Sequence, residues 1–580
     1  MRNLLIILLI TLTFGCAPKQ QERELPNVLL IVTDDQGFGD TGYNGNTILE
    51  TPVIDQLAAQ SVIFDRFYVS PVCAPTRASL LTGKYHLSTG VSWVTHRKEV
   101  MRKEELTIAE YLKEKGYVTG LFGKWHNGAQ YPHDPTGQGF ESFIGFKEGH
   151  FNNYFDPVLF DGLQERTFEG YLPDIVTDEA INMMEQTEKP FFTMLAYNTP
   201  HSPFQVPDRF FDKYKSKGLD DRLAAIYGMI ENLDENIGRL IESLRKSGKL
   251  DNTVIFFVGD NGPNGRRYNR QLKGIKSHVD EGGVRVPALL SYPAKGWNTG
   301  ETVQSMAAHI DLLPTIAGLL GDKGLPEVDG VNLAGIIDGT QITRPFFTHQ
   351  VVREFDRYPG AVREGDYLLT VQRGNNELYN LSDDESQLKN LSDSLIDLTT
   401  TLRAKYEQWI DQSIAELGDP QLAETGHGAI EKVVFQAQEI SAKVDVGFEG
   451  KEGWSNDYLI NFTETSIIEW QTKTVAEMPY VLQLELHADP GTEIRLEVNQ
   501  NQGVETAGAS VSYRVENSLE KTLIPSPDRV LRGEVYAYEW PIARLGIVTL
   551  KKGVNYFRLT TKNAQNLQIK SLQLIKDNNE

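Results

Sequence analysis

Cysteine is nearly absent from this chain, which has 2 cysteines, Cys16 and Cys73, among 580 residues. So small a number excludes a disulfide framework and a cysteine-rich zinc site, because each of these needs several thiols. Positive charge is also in deficit, since 57 lysines and arginines stand against 79 aspartates and glutamates, for a formal net charge of −22. This balance argues against nucleic acid or an anionic membrane surface as the main partner.

Low-complexity tracts and internal repeats are missing as well. Hydrophobic residues make up 40% of the chain and charged residues 23%, which is the composition of a globular protein and excludes wholesale disorder. The length predicts two to four domains, each large enough to bury a core.

The N-terminus has the pattern of an export signal. Arg2 is followed by an apolar run at residues 4–10, which is too short to span a bilayer, and the run leads to Gly15-Cys16. This pattern resembles the bacterial lipobox, whose cysteine is lipid-modified after cleavage, although an ordinary secretory signal with an incidental Cys16 is the alternative. The resemblance implies a signal peptide at 1–15, a lipid anchor on Cys16 and a polar tether at 16–26. We therefore expect an exported lipoprotein of the outer membrane, on its periplasmic or surface face, that touches the membrane only through its anchor.

Strand and helix patterns alternate over residues 27–345. Buried strands are predicted at 27–33, 118–122, 191–197, 254–258 and 288–291, with helices between them at 104–115, 174–187, 221–247 and 309–320. Such alternation predicts an α/β fold with a mainly parallel sheet. Sites in these sheets lie beyond the carboxyl ends of the strands, where Asp34-Asp35 and Asp260-Asn261 follow two of the predicted strands.

The pattern changes after residue 345. Short antiparallel strands at 367–371 and 377–379 and an amphipathic helix at 392–416 predict a small α+β subdomain over 346–416. Residues 417–430 are polar and rich in glycine and proline, which predicts a linker. From 431 to 580, period-two alternation predicts seven or more short strands in a jelly-roll-like β-sandwich. This sandwich is either a structural domain that packs on the core or a carbohydrate-binding module.

Cys73 lies in a motif of its own. A lone cysteine is usually just buried, but here Cys73-x-Pro75-x-Arg77 is followed by ASLLTGKY. This motif resembles the signature of the formylglycine-dependent sulfatases of the alkaline phosphatase superfamily. Further blocks up to about residue 416, among them NVLLIVTDDQG, NTPHSPF and FFVGDNG, are similar to that family in the same order. The resemblance implies a sulfatase core at 27–345, in which a formylglycine-generating maturation enzyme converts Cys73 to the nucleophile.

Four residues at two strand ends supply oxygen ligands. Asp34, Asp35, Asp260 and Asn261 form a hard, oxygen-only set, which favours Ca²⁺, with Mg²⁺ as the alternative. If only one of the two pairs were present, its side chains would be expected to stabilise a turn or cap a helix. The resemblance implies that these four residues bind Ca²⁺ and that an oxygen of the modified Cys73 completes the coordination.

Basic residues in loops are the candidate catalytic groups. The resemblance implies that Arg77, Lys124 and His126 hold the formylglycine hydrate, while His201 and Lys276 face the sulfate and the leaving oxygen. In the implied mechanism the hydrate attacks sulfur, His201 or Lys276 protonates the leaving alcohol, and His126 assists the expulsion of sulfate. Without the family pattern, each of these side chains would more often be solvated surface.

Two groups of residues outside these blocks are candidates for substrate contact. His150, Asn153 and Tyr154 predict a loop over the active site. Arg266 and Arg267 follow Asp260-Asn261 in the chain. Two interpretations are equally compatible with this position: the arginines contact a uronate or a second sulfate of the substrate, or they are solvated surface residues.

The expected function is hydrolysis of sulfate esters in a sulfated poly- or oligosaccharide. Ulvan, carrageenan, fucoidan and glycosaminoglycans are all compatible with the sequence. Two alternatives stay open, a phosphodiesterase or phosphonate monoester hydrolase of the same superfamily and a non-catalytic glycan-binding lipoprotein.

Overall fold

The computed structural model describes residues 25–322, 324–350, 354–450, 456–500, 508–532 and 536–578. The predicted signal peptide, Cys16 and all but the last two residues of the tether lie outside these ranges. Within the described ranges, no helix has both the length and the apolar character needed to cross a bilayer. The chain forms three parts, each with its own apolar core: an α/β part, a small α+β part and a β-sandwich.

The α/β part contains most of the helices. Its strands are β1 (Asn27–Thr33), β2 (Val62–Phe64), β3 (Phe67–Tyr68), β4 (Val118–Lys124), β5 (Ser142–Phe146), β6 (Val158–Asp161), β7 (Gln164–Thr167), β8 (Phe191–Ala196), β9 (Thr253–Gly259), β10 (Ala288–Ser291), β11 (Thr302–Val303) and β12 (Ala307–Ala308). Its helices are α1 (Pro52–Ala59), α2 (Cys73–Thr82), α3 (Ile108–Glu114), α4 (Leu172–Gln186), α5 (Asp208–Ser216), α6 (Asp221–Lys246), α7 (Glu281–Val284), α8 (Leu312–Leu319) and α9 (Leu333–Ile337).

One ten-stranded sheet organises this part, in the order β11-β2-β10-β9-β1-β8-β4-β5-β6-β7. The five central strands, from β9 to β5, are parallel, whereas β6, β7 and β10 pair antiparallel. Helices cover both faces and form two apolar clusters, so β1, β8 and β9 are buried along their whole length. The predicted α/β fold with a mainly parallel sheet is confirmed.

The predicted helix at 104–115 is shorter in the structure and begins at Ile108. Thr107 accepts a hydrogen bond from the Glu110 backbone N–H, and the Glu110 carboxylate accepts one from the Thr107 N–H. This reciprocal capping box fixes the start of the helix.

The α+β part follows directly. It consists of β13 (Phe346–His349), β14 (Gly360–Glu364), β15 (Tyr367–Val371), β16 (Asn376–Asn380) and α10 (Ile396–Leu417). The four strands form one antiparallel sheet in chain order, and Tyr406 of α10 packs in the core against this sheet.

The remaining strands form the sandwich. They are β17 (Ala423–Thr425), β18 (Lys432–Gln436), β19 (Ala442–Val444), β20 (Gly447–Phe448), β21 (Leu459–Ile460), β22 (Ile467–Thr474), β23 (Met478–His487), β24 (Glu493–Asn499), β25 (Ala509–Arg514), β26 (Thr522–Ile524), β27 (Ala537–Glu539), β28 (Ile542–Leu550), β29 (Gly553–Lys562) and β30 (Gln568–Lys576). Two six-stranded sheets enclose a single apolar core that contains Trp470 and Phe557. Short 3₁₀ segments elsewhere are His86–Thr89, Pro135–Gln138, Leu250–Asn252, Pro293–Lys295, His309–Asp311 and Ala437–Glu439.

The predicted linker is partly strand. Residues 423–425 form β17, which pairs in parallel with β22, and the hydroxyls of Thr425 and Thr474 lie 2.8 Å apart in a hydrogen bond. Three residues are too few to show period-two alternation, which is why the sequence pattern did not indicate this strand.

The sandwich is fixed against the α/β part by buried polar contacts. Arg97 pairs with Glu439 at 2.8 Å, and both side chains are only 8% exposed. Gln130 donates to the backbone carbonyl of Val434 at 2.7 Å. Because these groups are desolvated and paired, the two parts are held in one arrangement.

Candidate active site

The four predicted metal ligands lie at one edge of the central sheet. β1 and β9 are adjacent and parallel, and their register sets Thr33 opposite Gly259, so the residues that follow the two strands meet. Asp34, Asp35, Asp260 and Asn261 are each at most 1% exposed. The Asp35 backbone N–H donates to Asp260 Oδ1 at 3.1 Å, and Asp35 has a φ of 64°, a strained value for a residue other than glycine.

Three side-chain oxygens of this group have no hydrogen-bond partner among the described residues. They are Asp34 Oδ1, Asp35 Oδ2 and Asn261 Oδ1, and all three are buried. Buried polar atoms nearly always find partners, because an unsatisfied one costs about 1–3 kcal/mol. Ligand atoms of Asp34, Asp260 and Cys73 also lie within 4.8 Å of one another, as do those of Asp34, Asp35 and His201. The donor set therefore fits a hard divalent cation.

Cys73 is the first residue of α2 and is 3% exposed. Every residue of α2 is buried, and the turn before it is held by Thr76, whose hydroxyl donates to the Ser70 carbonyl at 3.0 Å. Asn127 donates to the Ala74 carbonyl at 3.0 Å. The thiol thus lies at a helix N-terminus, where the partial positive charge of the backbone favours an anion.

Three buried carboxylates pair one-to-one with three cations. Arg77 lies one turn after Cys73 and donates through Nη2 and Nε to Asp260 Oδ2, at 2.9 and 3.2 Å. Lys124 at the end of β4 donates to Asp34 Oδ2 at 2.7 Å. Lys276 donates to Asp35 Oδ1 at 2.5 Å.

The electrostatics differ among the three carboxylates. Burial raises the pKa of Asp34, but the cations around it, led by Lys124, outweigh burial and hold that pKa below its ordinary value. Lys276 has the same effect on the pKa of Asp35. At Asp260, burial and repulsion from Asp34 outweigh Arg77, so its pKa is raised well above the ordinary value. A cation between Asp34 and Asp260 would relieve this repulsion.

Two histidines each direct one nitrogen toward the site. His201 Nδ1 donates to the Ser202 carbonyl at 2.6 Å, which leaves Nε2 unprotonated, 3.9 Å from Asp35 Oδ2. His126 Nε2 donates to the Val94 carbonyl at 2.9 Å, and its buried Nδ1 has no partner among the described residues. Burial lowers the pKa of His201 to about 4 and that of His126 well below its ordinary value, so both rings are neutral at neutral pH.

Comparison with known proteins identifies the family of this chain. The family model described as Sulfatase matches residues 26–322, just over half of the chain. The chain belongs to the sulfatase family, whose enzymes hydrolyse sulfate esters.

Individual relatives agree with this assignment. Arylsulfatase J of Mus musculus is 32% identical over 318 residues, which cover 51% of this chain and 52% of the relative. The chain thus spans about half the length of that protein. An ulvan-active sulfatase of Formosa agariphila is 28% identical over 437 residues, which cover 69% of this chain and 83% of the relative. The solved structure of Ps i-CgsB in complex with k-i-k-neocarrahexaose is 30% identical with a TM-score of 0.64, and the match covers 68% of this chain and 94% of that one.

The three residues of the predicted loop over the sulfatase site differ in their contacts and exposure. His150 Nε2 lies 2.8 Å from Asn152 Oδ1, and the His150 ring packs edge-on against His201 with 5.8 Å between centroids. Tyr154 is buried. Its hydroxyl donates a hydrogen bond to the His201 carbonyl at 3.1 Å, so it helps to hold His201 in place. Asn153 is exposed beside the site.

The two predicted arginine contacts also differ. Arg267 is only 3% exposed, pairs with Asp40 at 2.6 Å and donates to the Asp35 carbonyl at 2.7 Å. Its guanidinium therefore braces the loop of Asp35 instead of lying at the solvated surface, and a substrate contact by Arg267 stays a prediction. Arg266 is exposed and free of that constraint.

Sequence reasoning missed several residues that shape the site. His309 Nε2 lies 3.1 Å from the hydroxyl of Ser70, three residues before Cys73. The guanidinium groups of Arg222 and Arg532 lie over the ring of Phe204, three residues after His201. Nothing in the sequence joins these two arginines, because 309 residues separate them and one belongs to the sandwich.

Proposed function

We propose that this sulfatase hydrolyses sulfate esters of an anionic carbohydrate, with Cys73 converted to formylglycine and Ca²⁺ held by Asp34, Asp35, Asp260 and Asn261. The names of two relatives support a saccharide substrate, since one is an ulvan-active sulfatase and the other was solved with a neocarrahexaose. A sulfated algal polysaccharide or an oligosaccharide derived from it is the substrate class that fits both.

The charge balance of the site is the observation that carries this proposal. Asp34, Asp35 and Asp260 are each matched by one cation, and the two nearby histidines are neutral, so the protein groups sum to zero when all three carboxylates are ionised. A bound divalent cation brings +2, which balances the single charge of a sulfate monoester together with one negative charge on an oxygen nucleophile. Three buried oxygens of this group, which have no hydrogen-bond partner among the described residues, also support the binding of a cation.

Position 73, Arg77 and His126 have separate roles in the proposed reaction. A formylglycine at position 73 supplies a geminal diol, which can release sulfate by reverting to the aldehyde. Arg77 is fixed between Asp260 and the Lys124 carbonyl, and it orients the residue one turn before it. His126 presents an unprotonated Nδ1 that can accept a proton.

His201 and Lys276 are the candidate acids for the leaving oxygen, Lys276 through its charged ammonium group and His201 only after its Nε2 has taken up a proton. Both lie against Asp35, Lys276 at Oδ1 and His201 near Oδ2. Alanine variants of the two should lose far more turnover on an alkyl sulfate than on a nitrophenyl sulfate, because only the poor leaving group needs a proton. The residue whose loss depends on the leaving group is the acid, and equal losses on both substrates for both variants would contradict this role.

The decisive experiment uses the chain matured by a co-expressed formylglycine-generating enzyme. We expect desulfation of an aryl sulfate and of members of a panel of sulfated oligosaccharides, resolved by position, and almost no turnover by Cys73→Ser. Intact mass of the peptide that contains Cys73 reports maturation. Faster hydrolysis of the matched phosphate would favour the phosphoester alternative, and a matured protein without turnover on the panel would favour the glycan-binding one.

We propose in addition that Cys16 carries a lipid that anchors the protein in the outer membrane, on the basis of the lipobox-like sequence that ends at Gly15-Cys16. Growth with labelled palmitate should label the protein and leave Cys16→Ser unlabelled. An unlabelled mature protein would contradict the anchor.

A further inference from the structure

A cavity of about 730 Å³ lies between the α/β part and the sandwich. This volume is within the range of roughly 300–1,000 Å³ that is usual for small-molecule sites. Val158 and Leu163 of the β6–β7 hairpin line the cavity and are 53% and 40% exposed, so it is open to solvent. His126 also lines it and is 4% exposed. The cavity therefore extends from the surface to a residue of the active site.

His126 connects this cavity to the reacting groups. It lies two residues after Lys124, whose ammonium group donates to Asp34 at 2.7 Å. The His126 ring also meets Gly149, which lines the cavity, and a Cβ added at Gly149 would lie 2.1 Å from His126 Nε2. Any larger residue at this position would displace the imidazole. The wall of the cavity and the active-site histidine are thus in direct contact.

Paired polar groups hold the two sides of the cavity in one arrangement. Gln130 of the α/β part donates to the Val434 carbonyl of β18 at 2.7 Å. Arg97 donates through Nη1 to Gln130 Oε1 at 2.9 Å and to Glu439 Oε1 at 2.8 Å. Because these groups join the two parts of the chain, the cavity between them is formed before any ligand binds.

Two buried oxygen atoms in the walls of the cavity have no hydrogen-bond partner among the described residues. They are Oε1 of Gln438, a side chain of the sandwich that is 8% exposed, and Oε2 of Glu99 in the α/β part. Buried polar atoms nearly always have a partner. Both atoms are hydrogen-bond acceptors, so a ligand that satisfies them must bring donors.

The charges of the cavity disfavour an anion. Six glutamates and one aspartate line it, against the two lysines Lys147 and Lys432, each of which already faces a carboxylate, at 2.8 and 4.0 Å. Burial and repulsion from Glu439 raise the pKa of Glu99 to about 7, and a further anion would add to this repulsion. Within the described ranges, sets of three metal-ligating side chains close enough to share one ion occur around Asp34 and not in this cavity. An uncharged ligand with hydroxyl donors fits best.

Aromatic rings form another part of the wall. Phe146 and Phe151 are stacked with 5.0 Å between their centroids, and the Lys147 ammonium group lies 4.1 Å from the centroid of Phe160. A sugar residue has apolar C–H faces, which pack on such rings, and hydroxyl groups at its edges, which donate to oxygen acceptors. The walls of the cavity therefore match the two kinds of surface that a sugar residue offers.

We propose that this cavity is a subsite for an uncharged sugar residue of the saccharide whose sulfate ester is hydrolysed, and that Glu99 and Gln438 accept hydrogen bonds from its hydroxyl groups. This inference rests on the proposed function and deepens it. It makes the substrate longer than one residue, and it assigns the junction between the sulfatase core and the sandwich a direct part in substrate binding.

The test uses a series of oligosaccharides with a single sulfate ester, lengthened on either side from one residue to four by uncharged sugar residues. The variants are Gln438→Leu and Glu99→Leu, with Gln565→Leu as a matched control, since Gln565 is exposed between β29 and β30. We expect KM of the wild type to fall with length. In each cavity variant, the advantage in KM of the four-residue substrate over the one-residue substrate should shrink by about threefold to tenfold. Gln565→Leu should keep the full advantage.

A melting temperature separates binding from a structural role. Because Gln438 Oε1 has no hydrogen-bond partner among the described residues, Gln438→Leu should not lower the Tm. A lower Tm together with equal losses on every substrate length would show that Gln438 supports the fold, and would overturn the subsite.

Two further results would overturn the subsite, a wild-type KM that does not depend on length and a larger gain from an added uronate than from an added uncharged residue. A wild type that cleaves no sulfate ester would instead overturn the proposed function, so the two failures are distinguishable. Calorimetric binding of the same series to Cys73→Ala, with and without Gln438→Leu, tests the subsite without turnover. We expect the four-residue oligosaccharide to bind more weakly to the double variant, and equal binding would contradict the subsite.

Discussion

The pair formed by Arg77 and Asp260 allows a quantitative test of how the site is built. Both side chains are fully buried, and Arg77 donates three hydrogen bonds, two to Asp260 and one to the Lys124 carbonyl. In Arg77→Lys the charge remains, but one ammonium on a shorter stem can keep about one of these bonds. The loss of two charged hydrogen bonds corresponds to about 3–6 kcal/mol. For a domain of this size, this is a fall of about 6–12 °C in the Tm of its transition.

Arg209→Lys is the matched control for this measurement. Arg209 contacts both oxygens of Glu235, at 2.9 and 2.6 Å, but it is 62% exposed. Water replaces bonds lost at such a surface, so we expect a change of less than about 1 kcal/mol. Differential scanning calorimetry of both variants, with kcat on an aryl sulfate, provides the comparison. Equal shifts in Tm would refute the reasoning that burial, rather than hydrogen-bond geometry alone, makes the pair strong.

Further predictions concern the cation, the nucleophile, the support of the histidine and the charge of the whole protein. Chelation of divalent cations should lower both Tm and turnover, and Ca²⁺ should restore both; a Tm that does not respond to chelator would contradict a cation at the three orphaned oxygens. Cys73→Ala should abolish turnover while the Tm stays within about 2 °C, since removing one sulfur at a helix end leaves the surrounding hydrogen bonds intact. Tyr154→Phe should cost about 1 kcal/mol and slow turnover by freeing the His201 carbonyl, and an unchanged kcat would show that this bond does not position the ring. Raising salt from low to physiological concentration should increase kcat/KM for a polyanionic substrate, because it screens the net charge of −22, whereas a steep fall would show that attraction by exposed cations dominates.

The central sheet and the carboxylate cluster at its edge could be predicted from the sequence for one physical reason. A strand that is buried on both faces must be a continuous apolar run, and residues 27–33 and 253–259 have that pattern. Parallel strands in one sheet end at a common edge, so polar residues just after two such runs are expected to meet. Asp34 and Asp260 do so, with their carboxylates in one cluster.

The rest of the site depends on contacts that no local pattern encodes. The position of Arg267 just after Asp260-Asn261 is compatible with a substrate contact and with solvated surface, and it does not show that Asp40, which is 227 residues away in the chain, binds its guanidinium. A sandwich loop docks on Phe204 through the Arg529 backbone N–H and the Asp528 carboxylate, and no local pattern joins these residues because more than 320 positions separate them in the chain. A resemblance that ends near residue 416 cannot predict what a later domain adds.

The charge of the protein limits how an anionic substrate can be captured. At long range the net charge of −22 repels a polyanion. The three carboxylates of the site, when all are ionised, are cancelled by three basic groups, so the buried core of the site adds no net attraction before a cation binds. Attraction must therefore act at short range, from the divalent cation that we propose for the site and from the basic side chains around it.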